Sequence, residues 1–253
     1  MITDSFDPKS KPFITAESFY TEVPRNDIIT IATFKAKVVE YAKEKYGAKV
    51  TCTYKTTNGV QEIYSFELNG RTYQLYCSGI GATMASIIMK EVSVVTGSHS
   101  FIFFGSCGVL NEEACRGKII VPTSSYRDEG ISYHYMEPTD TVEVRNHLKV
   151  EKILERNKIP FVAGPGWTTD GIYMETINKV NKHKQEGCLA VEMEVSGVEA
   201  VARYYDIDNY HLLFSADSLG SLEEWERVDF GEDSEVALQI EAFEVALKIA
   251  QEL

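Results

Sequence analysis

Two rhythms of apolar residues alternate along the chain: short unbroken runs, and longer stretches with a period near 3.6. Residues 28–32 form a short apolar run suited to a buried strand, and residues 35–46 then carry a helical pattern. Strand-like stretches follow at 50–54, 63–68 and 71–77. Asn69-Gly70, between the last two, is the dipeptide that a two-residue hairpin turn selects. Gly79-Ile80-Gly81 then opens a helix with Ala85, Ile88, Val92 and Val95 on one face. Residues 100–104 read as a buried strand running into Gly105-Ser106-Cys107-Gly108, and residues 118–121 as a strand closed by Pro122. Residues 189–195 lead into a helix that ends at Tyr205, and 211–214 form a strand ending at Ser215-Ala216-Asp217. The last helix carries Val236, Ile240, Phe243, Leu247 and Ala250, with Ser234 as its expected N-cap.

Strands alternating with helices predict an α/β fold whose sheet is covered on both faces. The sheet must be mixed, because a tight hairpin cannot join parallel strands. No repeat, low-complexity tract or Pro/Ser-rich linker divides the sequence. Residues 1–253 are therefore expected to form a single domain, with 1–24 as an irregular arm bearing Pro8, Pro12 and Pro24.

Composition narrows the function classes. Of 253 residues, 44% are hydrophobic and 25% charged, a balance that supports one large core. No apolar run approaches the ~20 residues of a membrane helix, and the polar N-terminus lacks a signal-peptide layout. The five cysteines are odd in number and include no CxxC pair, which points to reduced thiols in the cytoplasm. A net charge of −13 disfavours nucleic acid as a partner and requires any phosphate site to be built locally. The five histidines show no metal-ligand spacing, and no dinucleotide or P-loop fingerprint occurs.

Candidate chemistry lies where apolar strands end in small or polar residues, since ligands of open α/β sheets collect there. Gly79-Ile80-Gly81, Gly105-Ser106-Cys107-Gly108 and Ser215-Ala216-Asp217 are three such ends. The run Ala190-Val191-Glu192-Met193-Glu194-Val195 alternates apolar and acidic residues, so an extended chain would put Glu192 and Glu194 on one face. It continues into a helix rich in small apolar residues, which predicts burial, and a buried carboxylate needs partners or a task. A carboxylate accepts two hydrogen bonds, as the vicinal hydroxyls of a ribose require.

In order and spacing, the Gly105–Gly108 stretch, the Glu192-Met193-Glu194 run and Ser215-Ala216-Asp217 resemble the nucleoside phosphorylase-I family. That family includes hexameric purine nucleoside phosphorylases, uridine phosphorylases and methylthioadenosine/adenosylhomocysteine nucleosidases. Residues 127–135, Arg-Asp-Glu-Gly-Ile-Ser-Tyr-His-Tyr, resemble the uridine phosphorylase branch in particular. The resemblance implies a three-layer αβα sandwich and a nucleoside phosphorylase, a pentosyltransferase of base salvage. Phosphate would be the co-substrate, with no further cofactor. On this resemblance Glu194 binds the ribose hydroxyls, Met193 packs on the sugar and Glu192 supports the pocket. Tyr173 lies near the base, and Asp217 protonates or hydrogen-bonds the leaving base with help from Arg227. Ser106, Gly105, Thr33 and Lys37 would hold phosphate. Family members are homo-oligomers, so a dimer or hexamer is expected.

Three departures stand out. Phe103 occupies the place of the family's phosphate arginine, three residues before the serine of the turn. The N-terminal phosphate loop is replaced by Ala32-Thr33-Phe34-Lys35-Ala36-Lys37, where Lys37 is either a substitute cation or a solvated helix residue. Met174-Glu175-Thr176-Ile177 stands where the uridine branch carries its base-reading Gln and Arg. Arg127, Arg71 or a neighbouring subunit would be other sources of a cation. Phosphorolysis is thus the leading expectation, with a hydrolytic nucleosidase and a non-catalytic nucleoside-binding protein as rivals.

Overall fold

In a computed structural model of the chain, residues 1–57, 59–219 and 233–253 are described. Two 3-10 turns, Ile2–Asp4 and Ala16–Ser18, punctuate the N-terminal arm. The chain then forms β1 (Asn26–Thr33), α1 (Ala36–Tyr46), β2 (Lys49–Thr56), β3 (Gly59–Leu68), β4 (Arg71–Cys77) and α2 (Ala82–Thr96). Next come β5 (Ser98–Val109), α3 (Glu112–Cys115), β6 (Ile119–Asp128), α4 (Ser132–Tyr135), β7 (Thr141–Glu143) and α5 (His147–Arg156). The rest comprises β8 (Phe161–Thr169), a 3-10 turn (Ile172–Met174), α6 (Ile177–Gln185), β9 (Ala190–Glu192), α7 (Val195–Tyr204), β10 (Asp208–Ser218) and α8 (Asp233–Glu252).

The strands join in the order β2-β3-β4-β1-β5-β9-β8-β6-β10, with β7 on β6. β10 also pairs back onto β5, so β5, β9, β8, β6 and β10 close into a small barrel at one side of the sheet. Both directions occur: β1 runs parallel to β4 and β5, whereas β2, β3 and β4 are antiparallel. Asn69 and Gly70, with φ of 53° and 76°, make the two-residue turn between β3 and β4, where Leu68 pairs with Arg71.

Apolar faces on both sides make the three layers. Val38 and Ala42 of α1, Val150 and Leu154 of α5, and Phe243 and Leu247 of α8 cover Ile31, Leu75, Phe104 and Leu212. On the opposite face, Ala85, Met89 and Val92 of α2 and Val198 and Val201 of α7 cover Phe101, Phe103 and Tyr76. The architecture is the expected α/β sandwich with a mixed central sheet. Among the described residues no helix is long and apolar enough to cross a membrane.

The structure corrects several boundaries. Gly105-Ser106-Cys107-Gly108 and Ser215-Ala216-Asp217 are not turns after strands but lie in the ends of β5 and β10, where the two strands pair side by side: Cys107 with Ser215 and Gly108 with Asp217. Small side chains suit that closure, because bulky ones would crowd the barrel interior. β6 continues past Pro122 because its register against β8 shifts between Pro122 and Ser124, the kind of irregularity that accommodates a proline. Ser234 lies inside the first turn of α8, which starts at Asp233. β8 and α6 escape pattern reading: β8 carries Gly164-Pro165-Gly166, and α6 buries only Val180 and His183.

One buried histidine ties the core to pH. The His211 ring of β10 stacks on Phe103 at 5.7 Å, and the Asn209 Nδ2 amide lies 2.8 Å from its Nε2, suited to donate to a neutral ring. Burial depresses its pKa from 6.5 to about 3. Between those values the unfolded chain binds a proton that the folded chain refuses, so stability falls as pH falls through this window. Thermal or urea unfolding measured from pH 7 to pH 4 is expected to show that loss. His211→Gln should make it shallower; an unchanged slope would remove His211 as its source.

Candidate active site

A single row of paired residues crosses the barrel: Tyr126 of β6 opposite Trp167 of β8, Trp167 opposite Val191 of β9, Val191 opposite Gly108 of β5, and Gly108 opposite Asp217 of β10. This register brings together motifs far apart in sequence. Between Ser215 and Asp217 the register against β5 slips by one residue. Such bulges re-aim side chains, and here Asp217 Oδ1 comes within 3.4 Å of the position a Gly108 Cβ would take.

Glu192 and Glu194 have different jobs, contrary to the expectation of one shared strand face. β9 ends at Glu192, and the chain leaves the extended conformation at Glu194, where φ is −130° and ψ −39°. The Glu192 carboxylate then curls under the start of α7. Its Oε2 accepts the backbone N–H of Glu194 at 2.6 Å and of Val195 at 2.8 Å, and its Oε1 accepts the Thr168 hydroxyl. An anion at a helix N-terminus also meets the positive end of the helix dipole. Thr168 in turn accepts from Ser196 N at 3.0 Å and lies 2.8 Å from the Ser125 hydroxyl. Ser196 Oγ donates to Glu129 at 3.0 Å. Burial foremost, and then the Glu194 charge, push the Glu192 carboxyl up from its ordinary range against these hydrogen bonds.

Glu194 is half-buried and anchored from another side. Its Oε1 accepts the Gly81 N–H at 2.7 Å. Gly81 is the N-cap of α2, and its φ of 95° is a conformation that favours glycine. Burial raises the Glu194 pKa, opposed by the backbone N–H groups. The remaining acceptor sites of this carboxylate match a pair of hydroxyls. Met193, between the two glutamates, is half-buried.

The register of β1 against β5, Ala32 opposite Phe103, sets the segment after Thr33 beside Gly105, and the lining there is aromatic. Phe34 lies against Gly105, so a Cβ there would meet its ring at 3.1 Å, and Phe34 and Phe103 sit 6.5 Å apart. Ser106 is half-buried; Thr33 is fully buried, and its hydroxyl accepts the Lys35 N–H at 3.2 Å. Lys37 lies in the first turn of α1, 63% exposed, with its ammonium 3.0 Å from Glu40: the solvated-helix reading. Arg127 is buried; its Nε donates to Ser132 Oγ at 2.8 Å and its Nη1 to the Glu137 carbonyl at 2.7 Å and Thr139 Oγ1 at 3.0 Å, pinning the segment after β6, while its Nη2 has no partner among the described residues. Arg71 reaches the Gln251 carbonyl at 3.4 Å and the Tyr73 ring instead.

Tyr173, on the 3-10 turn after β8, is 96% exposed and not enclosed by the chain; His134 on α4 is exposed as well. Arg227 lies outside the described residues. Sequence reading missed Thr168, Phe34 and Glu175. Glu175 follows the Tyr173 turn, and burial first, then Asp217, raise its pKa to about 7, with Lys179 opposing. A lone Glu in a polar segment gives no signal in sequence.

The model of the phosphorylase superfamily matches residues 27–242, and the chain belongs to that superfamily. A DeoD-type purine nucleoside phosphorylase of Alkaliphilus metalliredigens is 28% identical over 167 residues, 64% of this chain and 72% of the relative. Among solved structures, uridine phosphorylase from Vibrio fischeri superposes with a TM-score of 0.73 at 18% identity, covering 90% of this chain and 93% of its own. A futalosine hydrolase mutant of Helicobacter pylori superposes with a TM-score of 0.72 at 14% identity, covering 90% and 100%. Phosphorolytic and hydrolytic enzymes thus share this fold.

Glu192→Ala leaves three buried donors without their acceptor, each worth about 1–3 kcal/mol. Urea unfolding is expected to show a loss of about 3 kcal/mol or more, on that same scale, and Glu192→Gln, which keeps one acceptor oxygen, a smaller one. Equal stability of Glu192→Ala and the parent would refute the clamp.

Proposed function

We propose that this protein cleaves the N-glycosidic bond of a nucleoside, with Glu194 holding the ribose and Asp217 facing the leaving base. The observation that carries this reading is the row Trp167-Val191-Gly108-Asp217, which brings Asp217 level with the strand leading into Glu192 and Glu194. Breaking the bond builds positive charge on the sugar and negative charge on the base. Carboxylates near the sugar stabilise the first charge, and an acid near the base relieves the second. Holding two hydroxyls fixes the sugar for attack.

Water is the nucleophile that the geometry favours. A phosphate dianion needs fixed cations or a nest of N–H groups. The place where the family resemblance put them holds Phe34 and Phe103, and Lys37 pairs with Glu40. Phosphorolysis is the second reading, supported by the name of the Alkaliphilus relative; it requires a cation from a second subunit, consistent with the homo-oligomer expected from the sequence.

A substrate panel tests both. Purified protein is incubated with inosine, adenosine, guanosine, uridine, thymidine and methylthioadenosine, with and without phosphate, and free base is measured. Base release at the same rate in both conditions is expected; strict dependence on phosphate overturns the hydrolytic reading. Asp217→Asn should lower turnover by about 10²–10⁴-fold while nucleoside affinity changes by only a few-fold. Equal losses in turnover and affinity would identify a binding protein instead.

A further inference from the structure

Gly197 lies inside α7 with an ordinary helical backbone, a place where alanine would favour the helix more. Crowding explains the glycine. A Cβ there would stand 2.6 Å from the Ala82 Cβ, 2.5 Å from Ile131 Cγ2 and 3.4 Å from Glu129 Oε2. Carbon atoms in contact sit about 3.5–4.0 Å apart. The first turn of α2 and the stretch after β6 therefore both close on one bare Cα of α7. The stretch after β6 is tied down. Glu129 accepts the Ser196 hydroxyl at 3.0 Å and the Ser132 N–H at 3.1 Å, and the Gly130 N–H donates to Asp170 at 3.0 Å. Further along α2, Ala85 and Met89 share a buried cluster with Val198 and Val201 of α7. The start of α2 has the least behind it, for Ile80 and Met84 are exposed.

That start carries the Gly81 N–H, 2.7 Å from Glu194 Oε1. Glu194 and Gly197 lie one helical turn apart on α7, and Gly81 and Ala82 are neighbours on α2. The two helix starts thus touch twice, once by packing and once by a hydrogen bond. We propose that Gly197 is a positioning residue: lacking a side chain, it lets α2 seat on α7, and that seating sets the Gly81 N–H on the Glu194 carboxylate and aims the carboxylate at its ribose. The task of Glu194 rests on the glycosidic-cleavage reading above; the seating rests on packing alone. A Cβ at position 197 has to drive Ala82 back by about 1 Å to reach ordinary contact. The same shift stretches the Gly81–Glu194 bond from 2.7 Å to about 3.7 Å, where no hydrogen bond remains. A binding group misplaced by about 1 Å can cost about 10²-fold in rate.

Two measurements test it. In NMR of the parent, the Gly81 amide proton is expected to shift with pH as Glu194 takes up a proton, because its acceptor loses charge. Gly197→Ala should abolish that response. Gly197→Ala/Ala82→Gly, which removes the α2 wall of the contact, should restore it; Gly197→Ala/Ile131→Ala, which relieves only the other wall, should not. Should Gly197→Ala fail to fold, Ala82→Val crowds the same contact from α2 and carries the same expectation. A Gly81 response that survives in the crowded variant overturns the proposal.

The second measurement is base release from inosine and from 2′,3′-dideoxyinosine, or from the uridine pair if uridine is the better substrate. Gly197→Ala should lose about 10-fold or more in kcat/KM on the ribonucleoside, the worth of a hydrogen bond to a charged group. It should stay within a few-fold of the parent on the dideoxy form, which offers Glu194 no hydroxyls. The Ala82→Gly companion change should recover the loss. Equal losses on both substrates would make Gly197 merely structural and overturn the proposal. A parent that treats both nucleosides alike would sink the ribose reading of Glu194 and the purpose assigned to the seating, whereas the Gly81 resonance fails only if the seating itself is wrong.

Discussion

The carboxylate of Glu192 beneath the first turn of α7 is the contact on which the site depends. It satisfies the N–H groups of Glu194 and Val195, and through Thr168 it reaches Ser125 and Ser196. A helix start otherwise leaves such groups unpaired. Here they are satisfied by an acid that the strand itself delivers, so the strand, the helix and the side chain of Glu194 are fixed by one group. Burying that acid is costly, and three donors and the helix dipole offset part of the cost. The same bonds make the turn from β9 into α7 abrupt, which aims Glu194 at the N-terminus of α2.

Charge runs through the proposed chemistry in the same way. The protein carries a net charge of −13, and the carboxyl groups of Glu194 and Asp217 stand near the barrel row. Such a field favours a ribosyl group becoming cationic and disfavours an incoming dianion. The aromatic pair Phe34 and Phe103 points the same way, because rings offer an anion neither charge nor N–H donors. On the proposed reading, the departure from a phosphate site and the acidity of the pocket are two sides of one design.

The sequence made the sandwich legible through the rhythm of its apolar residues, and Asp217, Glu192 and Glu194 through their spacing. Barrel closure was not legible: Gly105–Gly108 and Ser215–Asp217 look like turns in one dimension and become strands because β5 and β10 pair along their ends. The separate duties of the two glutamates were hidden for a related reason, since alternation assumes an extended chain and the chain bends at Glu194. Lys37 stayed open between substitute cation and solvated helix residue because sequence position carries no information on which way a helix face turns. Glu175 gave no pattern at all; its environment comes from α6 and β10, which meet only through the cluster of Trp167, Val180, Val191 and Leu219.

Closure of β10 onto β5 has a consequence for the molecule's outer surface. A strand that would have been the margin of the sheet is zipped on both sides, so among the described strands only β2 and the three-residue β7 present a margin. Free margins are where sheets of separate molecules stitch together into fibres. β2 guards the longer one with Lys49 and Lys55 near its two ends and a row of threonines between them, a polar and cationic hem. The longer open margin thus lies at the side of the sheet opposite the five strands that carry the proposed chemistry.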